Sequence, residues 1–467
     1  MPPQLASLLT WAFVIFLFRR DFREKPNVTS ALWIPLIWLL IITTRAVSEW
    51  LTLFGFHLGG ISLEEGSPLD AIVYYGLIAA GIYVLNKRQV RFSEVLRNNK
   101  WLLLFLIYGF ISIVWSDFPF VAFKRWTKVI GHPIMVLVLL TEPDPMEALT
   151  RLMKRCAYVI VPFSILFIKY YPEWGRGFSP WTGEGFNVGI TLGKNSLGWD
   201  CLILGFFFFW YLLQTWRAER GMVRRNELVL IIATLVGIWW LLSMAQSSTS
   251  FVSLLLGALI VVLVGRRFVN KRLIGTYIII TVLALAAAES MFGIYDRTLQ
   301  LLHRDPTLTE RTMLWDDILK VKINPVLGVG FESFWLGERR QKLWDETRWQ
   351  PSEAHNGYLE TYLNLGLLGL LLLLGLLFAT FQKIRPQLLT NFEFSRFRLG
   401  FLVAIIVYNW TESAFKGLHP VWFVFYIIAL DYPKSRFASP ELSSENMHSA
   451  SDGDLIYVED LSPSGVP

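Results

Sequence analysis

Apolar runs suited to crossing about 30 Å of hydrocarbon recur along nearly the whole chain, near residues 3–18, 31–55, 70–86, 101–115, 129–141, 157–170, 189–213, 227–243, 249–265, 273–290, 357–381, 398–411 and 418–431. Short charged loops separate them. This pattern predicts an all-α polytopic membrane protein with about 12–13 transmembrane helices. Residues 1–431 then form a single membrane unit, with a large outer loop at 292–354 between the tenth and eleventh spans and a smaller one at 172–188. Connections of that length usually carry function. Residues 432–467, rich in Ser, Pro, Asp and Glu, read as a disordered cytoplasmic tail.

Basic residues set the orientation. Arg19, Arg20 and Arg23, then Lys87, Arg88, Arg91 and Arg97, then Arg151, Lys154 and Arg155 follow one another at every second loop, and the alternation continues through Arg217, Arg224, Arg266, Lys271, Lys383 and Arg385. Those loops are expected to face the cytoplasm of a bacterial inner membrane. The basic residues follow the first apolar run, whereas a cleaved signal peptide has them before it. That first run is short, and an interfacial placement would leave twelve spans with both ends inside.

Composition agrees: 54% of the residues are hydrophobic and only 17% are charged, against about a quarter charged in soluble domains. The net charge of +6 reports orientation rather than nucleic-acid binding. Cys156 and Cys201 lie in or beside apolar runs and read as packing residues, not as a disulfide or metal framework.

Against the positive-inside trend, the large outer loop carries Arg297, His303, Arg304, Arg311, Arg339, Arg340, Arg348 and His355. Long loops are exported whatever their charge, so most of these are read as solvated. Arg311 differs. Thr307 to Glu310 fits a capping box, and Leu314, Ile318 and Val321 recur at helical spacing, so a short helix is expected with Arg311 in its first turn. A cation there opposes the helix dipole, and an anion held by the guanidinium and the free backbone N–H groups reconciles the placement. His355 opens His355-Asn356-Gly357-Tyr358-Leu359-Glu360 at the mouth of the next span. It caps or anchors that helix, or it orients or deprotonates a hydroxyl. Gly366 and Gly369 are expected to let a neighbouring helix approach closely.

Taken together, His355-Asn356, the following Gly366-x-x-Gly369, Glu310-Arg311-Thr312 through Trp315, and Asn324-Pro325-Val326-Leu327-Gly328-Val329-Gly330 resemble the O-antigen ligase and O-antigen polymerase superfamily, which includes exopolysaccharide polymerases. Lys194-Asn195-Ser196-Leu197-Gly198, Trp115-Ser116-Asp117 with Arg125, and Trp410-Thr411-Glu412-Ser413 extend the resemblance from about Trp101 to Asp431. It implies glycosyl transfer in the periplasm, without metal or cofactor, from an undecaprenyl-pyrophosphate-linked oligosaccharide to a sugar hydroxyl on a glycan or a lipid A-core acceptor. Other polysaccharide assembly proteins are implied partners. Carried over by motif, Arg311 grips pyrophosphate and His355 acts at the reacting centre. One departure bears on the donor site: a second arginine that many ligases carry is missing from Ser243 to Ser250. Lys194, Arg125 or Arg45 would then supply the charge, and Lys194-Asn195 is nearer to the exopolysaccharide polymerases.

Arg45, Glu49, Lys194, Asp200 and Glu412 fall within apolar runs, where an unpaired charge costs about 2.5–3.5 kcal/mol on insertion scales. They are expected to face a cavity or one another, and Arg45 and Glu49, four apart, are spaced to neutralise each other. The candidate substrate-binding set is Lys194, Asn195, Arg125, Arg45, Asn356 and Glu412. No clustered His and carboxylate ligands at usable spacing are visible in the outer segments. Asp452-Gly453-Asp454 has the spacing of metal-dependent sugar transferases but falls in the tail. A transporter or flippase of lipid-linked oligosaccharide is the rival reading, although no internal repeat with matched broken helices is visible.

Overall fold

A computed structural model of the chain describes residues 1–56, 66–178, 183–219, 221–281, 284, 311–347 and 350–432. The first half contains α1 (Pro3–Arg23), α2 (Trp33–Thr43), α3 (Val47–Leu53), α4 (Pro68–Lys87), α5 (Phe92–Asn98), α6 (Lys100–Ile111), α7 (Pro119–Val129), α8 (Gly131–Leu140) and α9 (Pro145–Tyr170). After α10 (Pro172–Gly175) comes a small hairpin, β1 (Arg176–Phe178) paired antiparallel with β2 (Gly185–Asn187). Then follow α11 (Lys194–Arg217), α12 (Met222–Ala245), α13 (Ser248–Val264), α14 (Arg311–Lys320), α15 (Gly337–Glu346), α16 (Gly357–Thr390), α17 (Phe392–Thr411) and α18 (Pro420–Ala429).

The fold is helical, as the apolar runs predict. Among the described residues, four helices (α4, α11, α12 and α16) are long and apolar enough to cross a membrane, or up to six if each bent pair counts as one span. The bent pairs run from Ser30 to Leu53 and from Phe92 to Trp115, turning by 62° and 96°. Periodicity marks where a run is apolar but not where it bends. The run near 273–290 lies partly outside the described residues, and residues 292–310 and 433–467, including Asp452-Gly453-Asp454, lie wholly outside them.

Helix α18 is apolar all round, and each of its ten residues is buried, as expected of a helix surrounded by protein rather than presenting one face to lipid. It packs on α8, α11 and α17. Helices α13 and α17 cross closely where Gly257 meets Gly400: a Cβ on Gly400 would lie 2.8 Å from the Gly257 carbonyl oxygen. Cys156 and Cys201 are buried free thiols.

The described part of the 292–354 loop is organised around a break in α16. Gly366 has φ +65° and interrupts the helix, which frees the backbone bonds that Leu367 and Leu368 would make to Leu363 and Asn364. The Asn324–Gly330 stretch fills all four positions. Leu367 and Leu368 donate to Pro325 and Val326 (2.9 and 3.2 Å), while Val329 and Gly330 donate to Leu363 and Asn364 (3.2 and 2.8 Å). This corrects the helix-approach expectation for Gly366 and Gly369. A Cβ on Gly366 would strike the Val326 carbonyl oxygen at 2.2 Å, and one on Gly369 would strike Leu365 of its own helix, so a loop rather than a helix takes the space at Gly366.

Candidate functional site

The site forms where α14, the start of α16, the turn between α17 and α18, and the first turn of α11 meet. Helix α14 opens at Arg311 as described, with Leu314 and Ile318 buried, which agrees with the expected helix. Thr307 to Glu310 lie outside the described residues. One turn along, Trp315 donates its indole N–H to the Ala354 carbonyl at 2.8 Å. That bond ties α14 to the residue before His355.

Arg311 Nη2 donates to Glu412 Oε1 at 2.7 Å, and Nη1 donates to the Thr411 carbonyl. Glu412 is 4% exposed. It is the C-cap of α17, so the helix dipole opposes its charge and the guanidinium offsets that cost. Asn195 Nδ2 donates to Glu412 Oε2 at 3.3 Å.

His355 Nδ1 lies 3.1 Å from Glu353 Oε1 and 3.4 Å from Glu412 Oε2. With Nδ1 as donor, Nε2 is the basic atom of the neutral ring. His355 has φ +48°, a left-handed conformation costing on the order of 1–3 kcal/mol. Bonds on either side hold it: the Ala354 N–H donates to Glu360 Oε2 at 2.8 Å, and the Asn356 N–H donates to Ser413 Oγ at 3.0 Å. Glu360 in turn accepts from the Trp335 indole and from Asn364 at 3.0 Å.

Sequence reasoning missed two charged members. Glu353 bridges His355 and Lys416, whose ammonium donates to Glu353 Oε2. Burial raises the Glu353 carboxyl, but Lys416 and His355 outweigh it and hold the group down at about 2. Glu353 in turn raises Lys416 against burial. The available signal was a lone lysine in a short interhelical turn directly after Thr411-Glu412-Ser413.

The other predicted residues lie apart or serve the backbone. Asn356 caps α16 with its side chain, accepting from Tyr358 and Leu359 N–H at 3.0 Å. Arg125 donates to the Glu332 carbonyl at 2.5 Å. Arg45 donates to the carbonyls of Trp174 (2.8 Å) and Ile190 (3.3 Å), while Glu49 accepts from the Ala46 N–H at 3.1 Å. Backbone groups take their hydrogen bonds, while the two charges still act on each other as their spacing predicts. Lys194 is exposed at the first position of α11. Lys194 and Glu412 thus sit at helix ends rather than inside spans: the 189–213 run begins before α11, and Glu412 follows the last residue of α17. Asp200 alone of that group is buried within a helix, and neither of its carboxylate oxygens has a hydrogen-bond partner among the described residues.

Ligand atoms of Glu353, His355 and Glu412 all lie within 4.8 Å of one another. This corrects the expectation of no His and carboxylate cluster, since Glu412 is 57 residues from His355 in the chain. Lys416 and Arg311 already pair with the two carboxylates, so a divalent cation would have to displace them.

Residues 232–374, a stretch that includes Arg311 and His355, match the O-antigen ligase family model. The chain resembles the O-antigen ligase family. It is 28% identical over 341 residues to the exopolysaccharide production protein ExoQ of Rhizobium meliloti, covering 69% of this chain and 73% of that protein. A protein named as a polysaccharide ligase in Rickettsia typhi is 24% identical over 329 residues, covering 66% and 74%, respectively. Its counterpart in Rickettsia prowazekii is 22% identical over 335 residues, covering 68% and 76%. The O-antigen ligase match stops before Glu412 and Lys416, whereas the site does not.

Proposed function

We propose that the chain is a membrane glycosyltransferase that moves an undecaprenyl-pyrophosphate-linked glycan onto a sugar hydroxyl, polymerising exopolysaccharide or O-antigen repeats. The convergence of Arg311, His355, Glu412 and Asn195 from four separate segments carries this reading. The acceptor oxygen attacks the anomeric carbon, its proton passes to His355 Nε2, and the bond from that carbon to the phosphate oxygen breaks. Arg311 stabilises charge growing on the departing pyrophosphate. Bringing hydroxyl and anomeric carbon into line supplies proximity.

The same reading takes residues 1–431 as one inner-membrane unit of about 12–13 spans, with the 292–354 loop and the site facing the periplasm. The match to an exopolysaccharide production protein favours polymerisation. Ligation to a lipid A-core acceptor is the second reading, favoured by the relatives named as polysaccharide ligases. Purified protein in vesicles without a gradient should consume a lipid-linked repeat and release undecaprenyl pyrophosphate, with or without chelator. Transport without turnover would overturn the enzyme, and a chelated reaction restored by Mg²⁺ would overturn the metal-free route. Deleting the protein from cells separates the two reactions: single repeats accumulate if it polymerises, and unattached polymer accumulates if it ligates.

A further inference from the structure

The charged groups of the site form a continuous series. Arg311 touches one oxygen of Glu412, and the other oxygen of Glu412 faces His355 Nδ1. The same nitrogen faces one oxygen of Glu353, whose other oxygen touches Lys416. Each carboxylate therefore bridges one cation and the same imidazole nitrogen. Two positive and two negative side chains balance around a histidine with φ +48°.

We propose that Lys416 is the second cation of a diphosphate site, and that Glu412 and Glu353 occupy the two cations until the donor's phosphates displace them. A disubstituted diphosphate carries two negative charges and needs two cations; the series holds two, each in direct contact with one carboxylate side chain among the described residues. Phosphate binds a guanidinium or an ammonium through charge-assisted bonds at least as well as a carboxylate does, so it can take each carboxylate's place on its cation, and the two carboxylates it frees stay in the site against His355 and Asn195.

Displacement also changes what the carboxylates do. Once Arg311 turns to phosphate, Glu412 loses its strongest cationic contact while keeping His355 and Asn195. Glu353 does the same when Lys416 turns. Two carboxylates that no longer share their charge with cations pull harder on the Nδ1 proton, which makes Nε2 a stronger base. The histidine is thereby activated only when donor is bound, and the acceptor hydroxyl is spared deprotonation in an empty site.

The inference rests on the glycosyltransferase reading, and one set of measurements separates them. Full-length protein in detergent is titrated with geranylgeranyl diphosphate and geranylgeranyl monophosphate, and turnover of a lipid-linked repeat is measured in parallel. Lys416→Gln should weaken diphosphate binding by about tenfold or more while changing monophosphate binding less, and Lys416→Arg should restore much of it. Glu412→Gln and Glu353→Gln should tighten diphosphate binding by roughly threefold or more, because a competing anion is gone, while turnover falls. A merely structural carboxylate would give unchanged or weaker binding. If wild type binds and turns over but neither Glu→Gln variant binds more tightly, or Lys416→Gln binds diphosphate normally, the exchange is wrong and the enzyme reading stands. If wild type neither binds diphosphate nor turns over donor, both fall. Should Lys416→Gln fail to fold, Lys416→Arg and the two Glu→Gln variants still decide the matter.

Discussion

The two ends of α11 carry two charged clusters of similar composition that are wired differently. At the far end, Asp21 accepts from both Arg151 (2.9 Å) and Arg155 (2.8 Å), while Glu227 accepts from Lys154 and Arg20 (both 2.7 Å) and from the Tyr211 hydroxyl (3.1 Å). Arg151 also reaches Glu24 (2.5 Å) and Glu147 (3.0 Å), and Arg155 lies over Trp33 and Phe22. At the near end, among the described residues, Arg311 and Lys416 each touch one carboxylate, with Glu360 and Glu332 acting on Lys416 from further off. Asn195 and Tyr211 are about 24 Å apart along the helix, nearly a bilayer's hydrocarbon thickness. The far cluster joins α1, α9 and α12 through shared contacts: Arg20, Arg151 and Lys154 each reach more than one carboxylate, while Arg155 rests on Asp21 and two aromatic rings. In the near cluster one exchange releases each cation. Shared contacts suit a cluster that holds helices together, and single contacts suit the exchange proposed for the near one.

The largest expected effects break the near cluster. His355→Ala and Arg311→Lys should each lower turnover on the order of 100- to 1000-fold, the second because an ammonium lacks the planar fork that holds two oxygens. Variants matched for membrane expression decide this, and near-normal turnover in both would move the search to Lys194 and Arg45. Breaking the far cluster should do the opposite. Asp21→Asn removes the carboxylate shared by two buried guanidinium groups and should destabilise the protein by about 3–5 kcal/mol, read by thermal unfolding in detergent. Turnover per folded molecule should change little, and a selective loss of turnover would place the far cluster in the chemistry.

A third test sharpens the contrast through the backbone. Gly366→Ala forces a side chain onto a φ of +65° and into the Val326 carbonyl, a strain of about 1–3 kcal/mol. Turnover should fall further than stability, because the loop docked there carries Trp335 against Glu360, and Glu360 holds the Ala354 N–H. The smallest effect is that of pH on Glu353. Its carboxyl is held at about 2 against an ordinary 4.5, so its contribution is complete above about 4.5 and is lost as pH falls toward 2. The stability difference between wild type and Glu353→Gln should therefore stay constant at neutral and mildly acidic pH and shrink only below that range. A difference that disappears near neutrality would show that Lys416 does not hold the carboxylate.

Much of this was legible from the chain. The apolar runs specified a helical membrane protein because burial in hydrocarbon imposes a local pattern, and Arg311, His355, Asn195 and Glu412 each stood out through charge, motif or placement. Their meeting was not legible, because Arg311 and Glu412 are 101 residues apart, and Asn195 and Glu412 are 217 apart. Arg45 and Lys194 carried the same kind of signal, yet backbone carbonyls hold the first and the second is exposed. Glu353 and Lys416 carried almost none, since a charge in a short turn looks solvated until the turn is placed. Which segments avoid water and which residues are able to do chemistry could be read along the chain, because hydropathy and side-chain chemistry are properties of single positions and near neighbours. Which cation faces which carboxylate, and that the glycine at 366 admits a loop rather than a helix, emerged with the fold, because ion pairs and backbone hydrogen bonds depend on distances between segments that the chain brings together only on folding.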